Sequence, residues 1–565
     1  MRSDNIFIRE YLETLKEDRE LDALFPLLLS VMGFRIVTTA KESKGQNQYG
    51  KDIIAVGKDG EGKEWRYYFE LKGQKDKDIT DKNYLSPDGV RESILAAKDT
   101  AFNDKSIPGF DTLPVKIIFV HPGTVKMSVR PTFDGFIARE FKEGEFERWD
   151  IYKLTDLFSE HLFNEYLLTD EQSVRYFKRT LALLDEPEYK FIDFKNLVDL
   201  QIEKIGDRFT GREFQKFFAT QHLLCHVIHR YAKDADNLEP AKICLTYLLL
   251  KTWAWILRFK KENETKVRRE FDKLVGVHYL MLSEYFKKTL PLASEHIGLF
   301  SPAGQYFERV GYPLRSFEYL NYLIYFFQVR LHFPRDYKVE NPKVWKRIRK
   351  KQKEQLFRLV ENNNGCTRPL LDNHSIAILN VVLFTLDRDG FESEDLRFTG
   401  QFIVDVLNNI NTIKKIKGRF PLVSNDENVL IEKVLDIETS KYIDTSSLLI
   451  NILFELIAVF EAEGVYDMFV EHFRGQIDLQ VAYPYRDKYD IEQLLFEKQL
   501  NDELYVEHSI KLPQAFVEYR DKLKTLPLNT FNYRTDEAGY SYLRTLAHVF
   551  YKTDIFPGEW RQLFH

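Results

Sequence analysis

Apolar residues recur at helical spacing from Leu21 to Met32, and the run stops at Gly33, so the pattern predicts a first helix with a glycine end. Phe34-Arg35-Ile36-Val37 then reads as a strand. Ile53-Ile54-Ala55-Val56 and the aromatic-rich run Trp65 to Leu71 predict two more, joined by the polar, glycine-rich turn Gly57 to Lys63. A helix is expected over Gly89 to Thr100, a buried strand over Val115 to Val120, and a short helix over Phe136 to Phe141. Trp149 to Tyr152 reads as a last short strand, and Lys153 to Phe158 begins a further helix. The resulting order is helix, three strands, helix, strand, helix, strand, helix.

That order gives the polar residues of the hairpin their meaning. Asp52 enters the first hairpin strand, while Glu70 and Lys72, two residues apart, leave the second on one face. Folding the hairpin brings two carboxylates and a lysine together. With the backbone carbonyl of Leu71 beside them, Asp52 and Glu70 supply hard oxygen ligands suited to Mg²⁺ or Mn²⁺, the ion set of a phosphodiester nuclease. Lys72 would then position or deprotonate a water, or hold a phosphate as a compact cation. Gln74 follows on the same face and would orient the water or a neighbouring ligand.

The spacing resembles the PD-(D/E)xK nuclease superfamily, and within it the Mrr-like restriction endonuclease branch. Three segments carry the resemblance: Leu21-Asp22-Ala23-Leu24 to Met32-Gly33-Phe34, Gly50-Lys51-Asp52-Ile53-Ile54-Ala55, and Glu70-Leu71-Lys72. It implies Asp52 and Glu70 as metal ligands, Lys72 as the catalytic lysine, and Asp22 as an extra carboxylate near the metal. Two departures stand out. Asp22 replaces the more usual glutamate, with Glu20 as a substitute, and Pro26 falls inside the first helix. The resemblance spans about the first third of the chain.

Beyond about residue 161 strand patterning gives way to long helical periodicity, as in Ala241 to Phe259 and Ser316 to Phe333. The expected architecture is an α/β, restriction-endonuclease-like domain at 1–168, a connection at 169–195, a helical domain at 196–335, and a second helical block at 343–565, possible as a continuation of the first. A chain of 565 residues with 44% hydrophobic content fits that multi-domain reading. With 81 basic and 87 acidic residues the net charge is −6, so any nucleic-acid surface must be local. Three cysteines without a paired spacing, and an amino terminus carrying both signs of charge, fit a reducing cytoplasm; the apolar runs read as buried helices, with no membrane association expected.

Local positive charge concentrates on one predicted helix, where Lys343, Lys346, Arg347, Arg349, Lys350, Lys351, Lys353 and Arg358 face a single opposing acid, Glu354. Such a helix can grip phosphates; it also suits a solvated face or an acidic partner. His222, Cys225, His226 and His229 share helical spacing, but their apolar neighbours fit a packed boundary better than a metal cluster. Gly57 to Lys63 mimics a phosphate loop yet sits between two strands and lacks the Ser or Thr that would hold Mg²⁺. Trp253 and Trp255 fall in Leu-rich helices and read as core.

The expected function is a Mg²⁺-dependent (or Mn²⁺-dependent) endodeoxyribonuclease. By analogy with the resembled enzymes, it would be a bacterial restriction-type or anti-phage defence effector controlled by its helical region. DNA is the favoured substrate, and a homodimer or a protein partner would engage the helical region. The alternatives are a ribonuclease, or a helical protein-binding scaffold carrying a non-catalytic nuclease fold.

Overall fold

The helical stripe of the first segment becomes α1, Asp22–Val31, in the computed structural model. Leu21, Leu24, Phe25, Leu28 and Leu29 are all fully buried. The described residues are 8–9, 12–13, 15, 17, 21–39, 50–87, 89–104, 107–161, 171–187, 189–332, 342–386, 390–437, 440–484, 490–497, 505–524, 533–553 and 560. Pro26 lies inside α1 and has no N–H to return to the Asp22 carbonyl. The helix ends as the glycine predicts. Gly33, at φ +92°, lets its own N–H reach Ser30 O (3.1 Å) and the Phe34 N–H reach Leu29 O (2.9 Å).

A five-stranded mixed sheet follows in the order β1-β2-β3-β4-β5. Its strands are β1 Arg35–Thr38, β2 Ile53–Lys58, β3 Glu64–Leu71, β4 Val115–Val120 and β5 Phe146–Trp149. The first three are antiparallel neighbours, and β3, β4 and β5 run parallel. Asp59 organises the β2–β3 turn: its carboxylate accepts from the N–H groups of Glu61 (3.0 Å) and Lys63 (2.9 Å) and from Trp65 Nε1 (2.8 Å). The phosphate-loop mimic is therefore a hairpin turn.

Alternation along the strands separates two faces. Tyr67 and Phe69 face α1, where the Phe25, Phe69 and Trp149 rings meet edge to face at centroid distances of 5.4 to 5.9 Å. Ile54, Val56, Tyr68 and Ile117 face the other way, onto Ala97 and Phe110. Ala97 belongs to α3, Val90–Asp99, which follows the short α2, Asp81–Leu85. The sheet is thus covered on both faces, as buried parallel strands require.

Two expectations shift in detail. The helix expected at 136–141 is α4, Arg130–Glu140. The last strand lies earlier than 149–152: it is β5, ending at Trp149, because Asp150 accepts from the Tyr152 and Lys153 N–H groups (3.1 and 3.2 Å) and starts α5, Ile151–His161.

The chain divides into two compact units, 1–244 and 245–565. The first therefore extends past the expected boundary at 168. The segment expected as a connection carries α6, Glu171–Leu183, paired with α7, Ile192–Ile205. Helix α8, Gly211–Asp234, packs on α1. The division falls within α9, Glu239–Arg258.

The second unit is mostly helical. Its long members are α10 Thr265–Ala293, α11 Glu308–His332, α12 Pro342–Asn362, α13 Ser375–Thr385 and α14 Ser393–Lys417, and α15, Glu427–Val434, follows. Its carboxyl-terminal part also holds a three-stranded sheet that the helical expectation for 343–565 did not include: β6 Ser446–Ser447, β7 Asp478–Pro484 and β8 Tyr505–Ile510. Leu479 and Val481 are buried at alternate positions of β7, a period-two signal overlooked beside Pro484. Trp253 and Trp255 are fully buried, and Trp253 Nε1 donates to Thr535 Oγ1 (2.9 Å). Among the described residues no helix is long and apolar enough to cross a membrane.

Candidate active site

Three sequence-predicted residues meet at the ends of β2 and β3. Ile53 pairs with Phe69, and one step outward the Asp52 N–H donates to Phe69 O (2.9 Å), which sets Asp52 opposite Glu70. Asp52 Oδ2 accepts from the Leu71 N–H (2.8 Å). Lys72 Nζ lies 2.8 Å from Glu70 Oε1. Both carboxylates are buried, Asp52 at 8% exposure and Glu70 at 3%. Gly50 makes this approach possible: at φ +69° it sits where a Cβ would lie 2.0 Å from the Ser93 carbonyl oxygen of α3.

A third acid joins from the segment before α1. Glu17 Oε1 is 3.5 Å from Lys72 Nζ, and Glu13, four residues earlier, is 3.3 Å from Lys77 Nζ. Two acids one helical turn apart thus meet two lysines of the segment that follows β3. Sequence reasoning looked for this carboxylate at Asp22 or Glu20. Asp22 opens α1 and is half-buried, and Glu20 lies outside the described residues. The signal for Glu17 was the apolar periodicity of Ile8, Leu12 and Leu15, all buried, which extends helical character upstream of Leu21.

The electrostatics follow from this crowding. Burial, and then the charge of Glu70, pushes Asp52 up to about 8, against the opposing pull of the Leu71 N–H and Lys72. Burial likewise raises Glu17, with Glu70 adding to the rise and Lys72 opposing it. Burial alone would lower the Lys72 ammonium, but Glu70 and Glu17 hold it above the ordinary lysine value. Lys72 is therefore a cation here, which favours holding a phosphate over accepting a proton. Lys51 was also missed. It is buried, lies 5.2 Å from the Tyr68 ring, and is drawn down to about 8 by burial, with Glu70 partly offsetting the fall.

Segment 73–79 is stitched to the end of β4. The Lys72 N–H donates to Val120 O (2.9 Å), the Thr124 N–H to Asp78 Oδ1 (2.8 Å), and Ile79 N–H to Thr124 O (2.9 Å). His121, buried at the end of β4, has Nδ1 2.8 Å from Lys77 O; a carbonyl only accepts, so Nδ1 carries the proton. Gln74 begins a 3₁₀ turn in this segment, but its side chain lies outside the described residues.

Glu70 and Glu17 both face Lys72 at contact distance, and Asp52 sits opposite Glu70 with Lys51 nearby, so the buried centre gathers a set of hard oxygen donors. That donor chemistry fits a divalent cation held by Asp52 and Glu70, with the Leu71 carbonyl next to Glu70 in sequence. Among the described residues no group of three or more His, Cys, Asp or Glu side chains is placed to hold a metal ion, and this includes the segment from His222 to His229. His222 and Cys225 are buried in α8, and burial lowers His226 to about 4.

The basic helix is α12. Lys343, Lys346, Arg347, Lys350, Lys351 and Arg358 are exposed and Arg349 is half-buried. Lys353 departs from the expected phosphate-gripping set: it is buried in an ion pair with Asp395 of α14 (2.5 Å). Lys350 pairs with Glu392 (3.2 Å). No family, curated protein or solved structure matches the chain.

Proposed function

We propose that the amino-terminal unit is a metal-dependent endonuclease of the PD-(D/E)xK type, and that the chain hydrolyses phosphodiester bonds of DNA. One observation carries the reading: Asp52, Glu70 and Lys72 converge at adjoining strand ends, with the two carboxylates buried and Lys72 Nζ 2.8 Å from Glu70. A solvated strand end would leave these groups in water, where their mutual repulsion would be screened.

Asp52 and Glu70 would hold Mg²⁺ or Mn²⁺, which when bound offsets charge on the scissile phosphate and activates water. Lys72, kept protonated by its acidic neighbours, attracts a phosphate oxygen and sets its distance from the carboxylates. Glu17 shares Lys72 with Glu70 and would compete with the phosphate for the ammonium. Gly50 and the Leu71 N–H fix Asp52 in place. A role as a cytoplasmic anti-phage or restriction-type effector, controlled by the helical unit, accords with a nuclease joined to a large second unit, and rests on analogy.

The test is cleavage of plasmid DNA, single-stranded DNA and RNA by the purified chain and by Lys72→Ala, with Mg²⁺, Mn²⁺ or EDTA. Metal-dependent nicking or linearisation by wild type, lowered on the order of 10³-fold in the variant, is expected. Cleavage of RNA alone would replace the DNA assignment with a ribonuclease. Activity that survives Lys72→Ala unchanged would remove this site from the chemistry.

A further inference from the structure

The nuclease reading leaves the basic face of α12 without a role. The buried side of this helix is well anchored: Phe357 stacks on Phe398 of α14 at 3.8 Å between centroids, and Leu356 and Leu359 are fully buried. Lys353–Asp395 is the buried polar anchor, and Asp395 also accepts from the Glu392 N–H (2.9 Å) at the start of α14. These contacts fix which face α12 shows to solvent.

On that face Lys346, Arg347, Lys351 and Arg358 are exposed and have no ion-pair partner among the described residues. Positions 347, 351 and 358 fall within about 40° of one another around the helix, 346 lies about 100° to one side beyond 343 and 350, and Glu354 is the one acid on this face between 343 and 358. From Lys343 to Arg358 the helix rises roughly 22 Å, about six phosphate intervals along one strand of B-form DNA. Like charges three and four residues apart destabilise a helix by roughly 0.2–0.5 kcal/mol per pair, a cost that a bound polyanion reverses.

We infer that the exposed basic face of α12 binds the phosphodiester backbone of duplex DNA. The stripe offers charge at repeating spacing, which is what a backbone recognises. A protein partner would instead need apolar anchors at the centre of its interface, and the exposed stripe offers only Val344 and the half-buried Trp345 at one end. With a net charge of −6 on the whole chain, attraction to a polyanion has to come from a local basic face such as this one. The inference rests on the nuclease reading only in choosing DNA as the polyanion.

The experiment is binding of a labelled DNA duplex to the full chain in EDTA, followed by anisotropy over a series of salt concentrations. Wild type is compared with a Lys346→Gln/Arg347→Gln/Lys351→Gln/Arg358→Gln variant and with Lys346→Arg/Lys351→Arg. The neutralised variant is expected to bind on the order of 10²-fold more weakly, with a slope of log affinity against log salt shallower by up to about 3.6, since each of four phosphate contacts contributes roughly 0.9. The arginine variant is expected to keep the wild-type slope. Equal slopes for wild type and the neutralised variant would overturn the inference. So would an equal loss in the arginine variant, which marks a folding defect, or competition by poly-glutamate as effective as by unlabelled DNA. Failure of the nuclease reading shows separately, as binding without metal-dependent cleavage.

Discussion

Asp52 and Asp372 are both buried aspartates, one in each unit, and their surroundings differ in kind. Asp372 sits at the amino end of α16, Leu448–Val459, where it accepts from the N–H groups of Leu448 (2.8 Å) and Leu449 (3.2 Å) and from the Ser447 hydroxyl. Helix-end donors converge on it, so its charge is answered where it lies. Asp52 accepts one backbone N–H and faces Glu70, with Glu17 adding further negative charge. The pair Lys353–Asp395 makes the same point for cations: one acid meets one lysine, whereas Lys72 is shared by acids that outnumber it. Burial alone therefore does not mark a functional acid. The mark is buried like charge that the protein leaves partly unanswered, because a ligand can answer it.

The sharpest way to break this comparison is to neutralise each aspartate. Asp52→Asn keeps an oxygen for the Leu71 N–H and removes the repulsion with Glu70. It is expected to lower metal-dependent cleavage on the order of 10³-fold while leaving the melting temperature in EDTA unchanged or higher. Gly50→Ala forces a Cβ against Ser93 O and strains φ, so it should cost about 2–3 kcal/mol in denaturant unfolding and lower cleavage by displacing Asp52. Asp372→Ala should cost about 2 kcal/mol by leaving the buried Leu448 and Leu449 N–H groups without their acceptor, yet keep the rise in melting temperature on adding Mg²⁺ that Asp52→Asn loses. A loss of the Mg²⁺ response in Asp372→Ala, or its survival in Asp52→Asn, would collapse the distinction.

Much of the first unit was legible because its signals are local. Gly33 ends α1, the turn that joins β2 to β3 falls inside the expected segment Gly57 to Lys63, and the two-residue spacing of Glu70 and Lys72 places them on one face. Strand ends were less legible: Asp150 caps α5 through its side chain, and hydropathy does not register a cap. The parts of the site that were missed depend on tertiary contact. Glu17 reaches Lys72 across a gap of 55 residues, and Lys51 looks in sequence like one more surface lysine until the fold buries it. The fate of Lys353 was hidden for the same reason, since only the meeting of α12 with α14 shows that one of eight basic residues between 343 and 358 is an internal anchor. The small sheet β6-β7-β8 joins segments far apart in the chain, and β7 offered a period-two pattern only a few residues long.

The smallest expected effect concerns pH, and it turns on Asp52. Folding raises Asp52 from the ordinary 3.8 to about 8. Between those values the folded chain holds a proton that the unfolded chain has released, so this contribution to stability is full below about pH 4 and is lost as pH rises through about 8. In EDTA the melting temperature of wild type should therefore fall relative to that of Asp52→Asn as pH is raised from about 5 to about 8. Bound Mg²⁺ favours the ionised carboxylate and competes with the proton, so the stabilisation from adding Mg²⁺ should grow over the same range. The wild-type curves with and without metal then diverge towards high pH, whereas Asp52→Asn shows two nearly coincident curves. Parallel wild-type and Asp52→Asn profiles in both conditions would mean that Asp52 neither carries the buried proton nor answers to the metal.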